Sequence, residues 1–255
     1  MVEIRTRALL LNSAPIRESD QMLILFTEEL GKVRALAKGA LRSKKRFLGA
    51  LLNLNELAIE LAPARGKEIE FRLELADIIK SRYGLARDPV RLACAYALAE
   101  LAERAAPDLQ PSFELYRLLE KSLDTICTVK NYREYFIYFL FKILEDLGYL
   151  PSLENCAVCG KPLGEKPKTY RFSIGRGGFI CESCARGEKP LLSISPSLAQ
   201  SLRAMNRLSF KQAGRIRISE KDWVAAIDLI FKFAAWHLER PLLSLGFLRD
   251  FKKEK

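Results

Sequence analysis

Four cysteines are the residues of this chain whose type and spacing most clearly indicate chemistry. They form two Cys-x-x-Cys pairs, Cys156 with Cys159 and Cys181 with Cys184, and residues 160–180 separate the pairs. Two such pairs are typical of a site in which four thiolates bind one zinc ion, although the gap lies just beyond the usual ~15–20 residues. Because four protein ligands leave no position for water, the pattern predicts one structural zinc ion per chain.

Two other uses of these cysteines remain open from the sequence, namely a pair of disulfides or an iron–sulfur cluster. The two remaining cysteines, Cys94 and Cys127, lie in apolar helical patterns, which predicts free buried thiols. Cysteines paired for a metal suit a reducing cytoplasm.

The positive charge of the chain, +11 in total, is concentrated in two intervals without acidic residues. The first lies between Glu29 and Glu56, and the second between Glu188 and Glu220. Two positive patches indicate a polyanionic partner, although solvated surface on a basic protein would give the same pattern. The candidate nucleic-acid-binding residues of the first interval are Lys32, Arg34, Lys38, Arg42, Lys44, Lys45 and Arg46, and those of a second basic patch are Arg203, Arg207, Lys211, Arg215 and Arg217.

Signatures of catalysis are missing from the sequence. It contains no GxxxxGK[ST] phosphate loop. The only histidine, His237, lies in an apolar helical run and has no partner motif, and the carboxylates are scattered. We therefore predict that the chain is not an enzyme.

The first 80 residues are rich in β-forming runs separated by turn residues. The turn predicted at 63–67 joins the last two of five strands, and a long connection follows the third. This arrangement predicts an OB-fold, a small barrel that binds single strands through a basic face with stacking aromatics. Of the few aromatics, Phe26 and Phe71 are expected in the core, whereas Phe47 directly follows the basic run. The predicted strands are Ile4–Ser13, Gln21–Thr27, Val33–Ala37, Glu56–Leu61 and Ile69–Leu75.

From Asp88 onward the apolar residues recur at helical spacing. Asp88-Pro89 is a cap followed by a first helical residue, and Ser195 and Ser219 are further predicted caps. The cysteine module is thus embedded in helices, and the fold class is α+β with several domains. The predicted helices begin at Asp88, Ser112, Asn131, Ser195, Ser219 and Pro241. The predicted domains are an OB-fold at 1–80, a first part of the helical domain at 81–153, the zinc module at 154–188 and a second part of the helical domain at 189–255.

Targeting signals are not expected. The N-terminus lacks the charged, apolar and cleavage regions of a signal peptide. No run of about 18 apolar residues occurs, so no membrane span is predicted.

Several segments together resemble the RecO family of bacterial DNA repair and recombination mediators, over nearly the whole chain. The first is the basic segment 37–47, whose Lys38-Gly39 is followed further along the chain by Leu51-Leu52. The second is Gly148-Tyr149-Leu150-Pro151 before the first cysteine pair, and the third is Gly177-Gly178 before the second pair. Some members lack the zinc cysteines, so the activity of the family does not require them.

The resemblance implies an OB-fold and a helical domain that bind single- and double-stranded DNA and anneal complementary strands in the cytoplasm, at the nucleoid. It also implies that the chain acts together with RecR and with single-stranded-DNA-binding protein. Through these partners it would help RecA to load on single-stranded DNA, so its link to RecA is indirect. The tail of single-stranded-DNA-binding protein is acidic and ends in apolar residues. We therefore expect it to dock on the helical domain, through Arg203, Arg207 and a groove between helices.

Two functions from other classes stay open. One is a nucleic-acid-processing enzyme, or its subunit, with the zinc module as a substrate clamp, which turnover of labelled strands would reveal. The other is an RNA-binding protein built on the same barrel, which competition between RNA and DNA would reveal.

Overall fold

The fold is taken from a computed structural model that describes residues 3–16, 18–43, 46–47, 49–64, 69–163, 167–244 and 247–248. It divides into two compact units, Met1–Cys127 and Thr128–Lys255. The predicted turn at 63–67 and the predicted last helix from Pro241 lie partly outside the described residues. The domain boundaries given above stay predictions.

The first unit begins with five strands that close into a barrel, which confirms the predicted OB-type fold. The order around the barrel is β1-β2-β3-β5-β4, and every pairing is antiparallel except the short parallel pairing of β3 with β5. The strands are β1 (Ile4–Pro15), β2 (Gln21–Thr27), β3 (Gly31–Ala37), β4 (Glu56–Pro63) and β5 (Phe71–Lys80).

The barrel interior is filled by alternate residues of its strands, as the period of two along a strand requires. Leu23 and Leu25 of β2 and Val33 and Ala35 of β3 belong to this core. Phe71 packs against the core as a partly buried residue. Phe26 is fully buried, as predicted, but its ring packs edge-on against Tyr116. Phe47 is also buried in the barrel core, so it offers no exposed ring to a nucleobase.

After the barrel, the described part of the first unit contains two α-helices, α1 (Pro89–Ala105) and α2 (Phe113–Thr128). The Asp88 carboxylate accepts hydrogen bonds from two N–H groups at the start of α1, which confirms the predicted cap. The connection between the helices lies against the start of β3, where Leu109 N–H donates to the Lys32 carbonyl. Gly31 has φ of 72° there, and a Cβ at this position would stand 1.9 Å from the Gln110 carbonyl oxygen, so the approach requires glycine.

The second unit is built on three longer helices, α3 (Tyr132–Asp146), α5 (Pro196–Arg207) and α7 (Glu220–His237), which pack against one another. Ser195 and Ser219 cap α5 and α7, as predicted. A short helix α6 (Phe210–Ala213), which was not predicted, carries a capping box between Ser209 and Gln212. Of the helices in the described part of the chain, none has both the length and the apolar character that a membrane crossing needs.

A small antiparallel sheet accompanies the cysteine module. It contains β6 (Tyr170–Ser173), β7 (Gly178–Ile180) and β8 (Leu192–Ile194) in the order β7-β6-β8, and the short helix α4 (Glu182–Ala185) follows β7. Tyr170 and Phe172 of the central strand pack on Phe179 of β7, and Phe172 also contacts Phe233 of α7. The sheet therefore attaches the cysteine module to the helices of the second unit.

Candidate metal centre and nucleic-acid interface

The two cysteine pairs lie on two tight turns that the sheet holds side by side. In the first turn, Gly160 N–H donates to the Cys156 carbonyl, and Gly160 adopts a φ of 72°. Ala157 N–H donates to the Phe179 carbonyl, which ties this turn to β7. Cys181 is the N-cap of α4 and Cys184 lies within that helix, so the second pair shares one helical turn.

The four sulfur atoms face one another at distances suited to a metal ion. All four lie within 4.8 Å of one another. The Cys159 and Cys181 Sγ atoms are 3.8 Å apart, whereas a disulfide would require about 2.05 Å. A tetrahedron with Zn–S bonds of about 2.3 Å has edges of about 3.8 Å. The donor set and its geometry therefore fit a zinc ion held by Cys156, Cys159, Cys181 and Cys184.

Hydrogen bonds within the cluster lower the pKa of Cys156 and Cys181 and raise the pKa of Cys184. The Ser183 hydroxyl lies 3.0 Å from Cys181 Sγ and lowers the pKa of that thiol to about 6. Burial opposes ionisation of Cys156, but backbone N–H groups, among them that of Cys181, outweigh it and lower the pKa. The hydrogen bond to Cys181 raises the pKa of Cys184 to about 12. A divalent cation bound by all four residues as thiolates would displace the protons that remain on the cluster.

Arg203 of α5 holds the cysteine module to the helices. Its Nε donates to the Leu153 carbonyl at 2.7 Å, and its guanidinium lies 4.8 Å from the centre of the Tyr170 ring. It also lies over the Phe179 ring and near Glu154. A guanidinium used in this way fastens the segment before Cys156 and the strand before Cys181 to α5.

Two of the predicted DNA-binding cations lie on the barrel wall and are paired. Lys32 Nζ donates to the Glu103 carbonyl at 2.8 Å and lies 3.2 Å from the Asp108 carboxylate. Arg34 binds Glu70 through its backbone N–H, Nε and Nη2. Because carboxylates already compensate both charges, these two residues should attract a phosphate less strongly than the sequence pattern implied.

Three other predicted cations, Lys38, Arg42 and Arg46, are exposed in the connection between β3 and β4. Arg42 pairs with Glu18 at 3.3 Å, but both side chains are more than 70% exposed, so the pair is weak. Arg46 donates to the Lys38 carbonyl and lies 4.9 Å from the centre of the Phe47 ring. Among the described residues, Lys38 and Arg46 form no ion pair with a carboxylate. Lys44 and Lys45 lie outside the described residues.

Asp20 fixes the shape of this connection. The Asp20 carboxylate, which is buried, accepts a hydrogen bond from Gly39 N–H at 2.8 Å, and Leu41 N–H donates to the Ser19 carbonyl. Phe47 anchors the same connection from inside the barrel. The cations are therefore presented on a chain segment that is tied to the barrel at several points, and the sequence pattern alone did not show these ties.

The second basic patch does not form a single set of free cations. Arg203 is engaged in the contacts described above, and Arg207 pairs with Glu154 at 2.8 Å. Arg217 donates to the Gly214 and Ile216 carbonyls. Lys211 and Arg215 are exposed, and within the described part of the chain neither pairs with a carboxylate.

A buried charge network on the barrel wall was not foreseen from the sequence. Glu56, which the alternation of β4 places outward, is completely buried. Its carboxylate binds Arg7 and lies 3.7 Å from the buried Arg82 guanidinium. Arg7 also reaches Glu120 of α2, and Arg82 reaches Asp124. These ion pairs join the barrel to α2, so their role is structural and a hydrophobicity pattern carries no signal for them.

His237 has an environment consistent with the predicted role at a helix end. Its ring stacks on Tyr149 at 4.8 Å and lies edge-on to Phe233 at 4.4 Å. Its Nε2 is buried and has no hydrogen-bond partner among the described residues. Desolvation lowers the pKa of this imidazole below its ordinary value.

Comparison with known proteins identifies relatives for the whole chain. The sequence profile described as "Recombination protein O N terminal" matches residues 1–82, and the one described as "Recombination protein O C terminal" matches residues 86–246. A protein named DNA repair protein RecO from Geobacter metallireducens is 34% identical over 255 residues, which is 100% of both chains. Proteins of the same name from Anaeromyxobacter sp. strain K and Myxococcus xanthus are 33% and 32% identical, over 98% and 94% of this chain and 97% and 95% of theirs.

Proposed function

Because the chain belongs to the recombination protein O family, we propose that it is a DNA repair protein that acts as a recombination mediator. It binds single- and double-stranded DNA and anneals complementary strands in the cytoplasm, at the nucleoid. The observation that carries this proposal is the exposed, uncompensated positive charge of Lys38 and Arg46, with Arg42 beside them, on a connection tied to a closed barrel.

Annealing requires no covalent chemistry from the protein. Two complementary strands repel one another through their phosphates, and cations that replace condensed counterions reduce this repulsion. Such contacts are independent of base sequence, so the base edges stay available for pairing. Phe47 is the one aromatic residue of the basic segment 37–47, and because it is buried its ring cannot stack on a base. This also favours contacts to the DNA backbone over contacts to the bases.

The zinc ion that we propose for the four cysteines has a structural role. Zinc would bind all four thiolates and supply the cross-link between the turn before β6 and the helix after β7. Through its contacts with Leu153 and Tyr170, Arg203 would then hold this module in a fixed position on α5. No step of DNA binding or annealing requires the metal.

The partners we propose are RecR and single-stranded-DNA-binding protein, through which RecA is loaded on DNA. For the acidic tail of single-stranded-DNA-binding protein, we propose the helical domain, as the sequence indicated. Arg203 is engaged with Leu153 and Tyr170 and Arg207 is paired with Glu154, so the exposed Lys211 and Arg215 are better placed than either arginine to steer the tail.

The test is an annealing assay with two complementary labelled strands, one carrying a donor and the other an acceptor fluorophore. The protein should accelerate pairing in proportion to its concentration and leave both strands uncut. Hydrolysis of either strand would instead support a nucleic-acid-processing enzyme. Tighter binding of RNA than of DNA of the same sequence, in a competition measured by anisotropy, would support an RNA-binding protein.

A further inference from the structure

A buried carboxylate lies at the base of the connection that carries the exposed cations. Asp20 directly precedes β2, whose first residue, Gln21, is paired with Ala37, the last residue of β3. The connection with Lys38 and Arg42 begins directly after Ala37, and Asp20 is only 9% exposed. A negative charge beside a phosphate-binding segment weakens its attraction for DNA, unless the carboxylate has another role there.

The Asp20 side chain holds the start of the connection in place. Its Oδ1 accepts a hydrogen bond from Gly39 N–H at 2.8 Å and another from the Ser19 hydroxyl at 3.2 Å. Gly39 has a φ of 68° and directly precedes a single 3₁₀ turn, Ala40–Arg42. Hydrogen bonds to an ionised group are stronger than those between neutral groups, so Asp20 stabilises the left-handed backbone conformation from which this turn starts.

The backbone of the β1–β2 turn adds a second tie to the same connection. Leu41 N–H donates to the Ser19 carbonyl at 3.0 Å. Lys38 directly precedes Gly39, and Arg42 directly follows Leu41. Each of these two cations is therefore next to a residue whose backbone is fixed by the β1–β2 turn.

We propose that Asp20 is a positioning residue for DNA binding, and that this role outweighs the unfavourable sign of its charge. The inference rests on the proposed function. Asp20 fixes the backbone beside Lys38 and Arg42, and it fixes Arg46 indirectly, because Arg46 Nη2 donates to the Lys38 carbonyl. Without the carboxylate, this backbone would have to be ordered when DNA binds, and ordering the backbone of a single residue corresponds to about a tenfold loss of affinity.

The test is the affinity of the full-length protein and its variants for a labelled single strand, measured by anisotropy at several salt concentrations. Asp20→Ala removes the acceptor and should weaken binding about tenfold. The slope of log affinity against log salt should stay unchanged, because the number of phosphate contacts is the same. Asp20→Asn keeps an oxygen that can accept from Gly39 N–H, so it should bind no more than about threefold more weakly than the wild type.

A matched control removes the same charge from the same turn. Glu18 is exposed and pairs with Arg42, so Glu18→Ala releases a cation and should not weaken binding. If the two carboxylates acted only through their charge, Asp20→Ala and Glu18→Ala would both strengthen binding. The proposal instead predicts a loss of affinity for Asp20→Ala alone.

Hydrogen exchange of the Gly39 amide, followed by NMR, reports on the hydrogen bond itself. Exchange should be faster in Asp20→Ala than in the wild type and should slow again in Asp20→Asn. Urea unfolding checks that each variant is folded. If Asp20→Ala is unfolded, Asp20→Ser replaces it, because the serine hydroxyl lies one bond short of the Oδ1 position.

Two outcomes would overturn this inference and leave the proposed function intact. One is a folded Asp20→Ala or Asp20→Ser variant that binds DNA as tightly as the wild type. The other is an Asp20→Asn variant that binds as weakly as Asp20→Ala. A wild-type chain that binds no DNA would instead overturn the proposed function, and this inference with it.

Discussion

The salt dependence of DNA binding should separate the exposed cations of the β3–β4 connection from the paired cations of the barrel wall. The perturbation is the triple variant Lys38→Gln, Arg42→Gln and Arg46→Gln. Each lost phosphate contact reduces the slope of log affinity against log salt by about 0.7 for single strands and about 0.9 for duplex. Three contacts therefore correspond to about 2.1 and about 2.7 units of slope.

A matched control is available on the same barrel. Arg5, Arg34 and Arg72 are paired with Glu60, Glu70 and Glu74. Changing these three arginines to glutamine removes the same formal charge, but it removes cations that are already compensated, so the slope should change by less than about one unit. Surface ion pairs of this kind contribute little to stability, which keeps the control folded.

The assay is fluorescence anisotropy of a labelled single strand, titrated with protein at several salt concentrations. Between 50 and 200 mM salt, the affinity of the β3–β4 variant should fall about 20-fold less than that of the wild type. Equal slopes for the two triple variants would refute the assignment of phosphate binding to the exposed connection and would favour the second basic patch.

Three further predictions follow from the metal centre, the barrel and the only histidine. Protein purified under reducing conditions should contain one zinc per chain by elemental analysis. Cys159→Ser should lose the metal and unfold the cysteine module, because metal binding and folding are coupled there. Metal-free wild-type protein with an intact module would contradict this prediction. Gly31→Ala should lower the free energy of unfolding, measured with urea, by more than about 2 kcal/mol, because it adds a clash with Gln110 to the cost of positive φ. Gly49 has a similar φ of 67°, and apart from its chain neighbours no described residue lies within 4 Å of a Cβ placed there. Gly49→Ala should therefore show only the conformational cost of about 1–2 kcal/mol. The NMR titration of His237 should have a midpoint below about 6.5, and its contribution to stability should be complete above that pH and be lost as the pH falls through the lower folded-state pKa; a midpoint above 6.5 would place the ring in contact with an anion.

Much of the fold could be predicted from the sequence because its signals are local. The bounds of β2 follow from a β-rich run between turn residues, and the caps Asp88, Ser195 and Ser219 act on N–H groups within three residues. The cysteine cluster was also predictable, because zinc sites impose a spacing within each pair.

What the sequence left unpredicted depends on contacts between distant segments. Arg203 was assigned to a DNA- or tail-binding patch because its partners, Leu153 and Tyr170, are 50 and 33 residues away. The alternation of β4 places Glu56 on the face opposite its apolar residues, but Arg7 and Arg82 compensate its charge and allow it to be buried. Phe47 follows a basic run, yet its burial in the barrel could be learned only from the closed structure.

The central claim, that the chain mediates recombination by annealing DNA, is tested most directly on strands coated with single-stranded-DNA-binding protein. Complementary labelled strands are coated separately, mixed, and followed by fluorescence transfer with and without the chain. We predict that the wild type accelerates annealing of the coated strands, that the Lys38, Arg42 and Arg46 variant does so weakly, and that the Arg5, Arg34 and Arg72 variant resembles the wild type. Coated strands that anneal at the same rate with and without the wild-type chain would contradict the account.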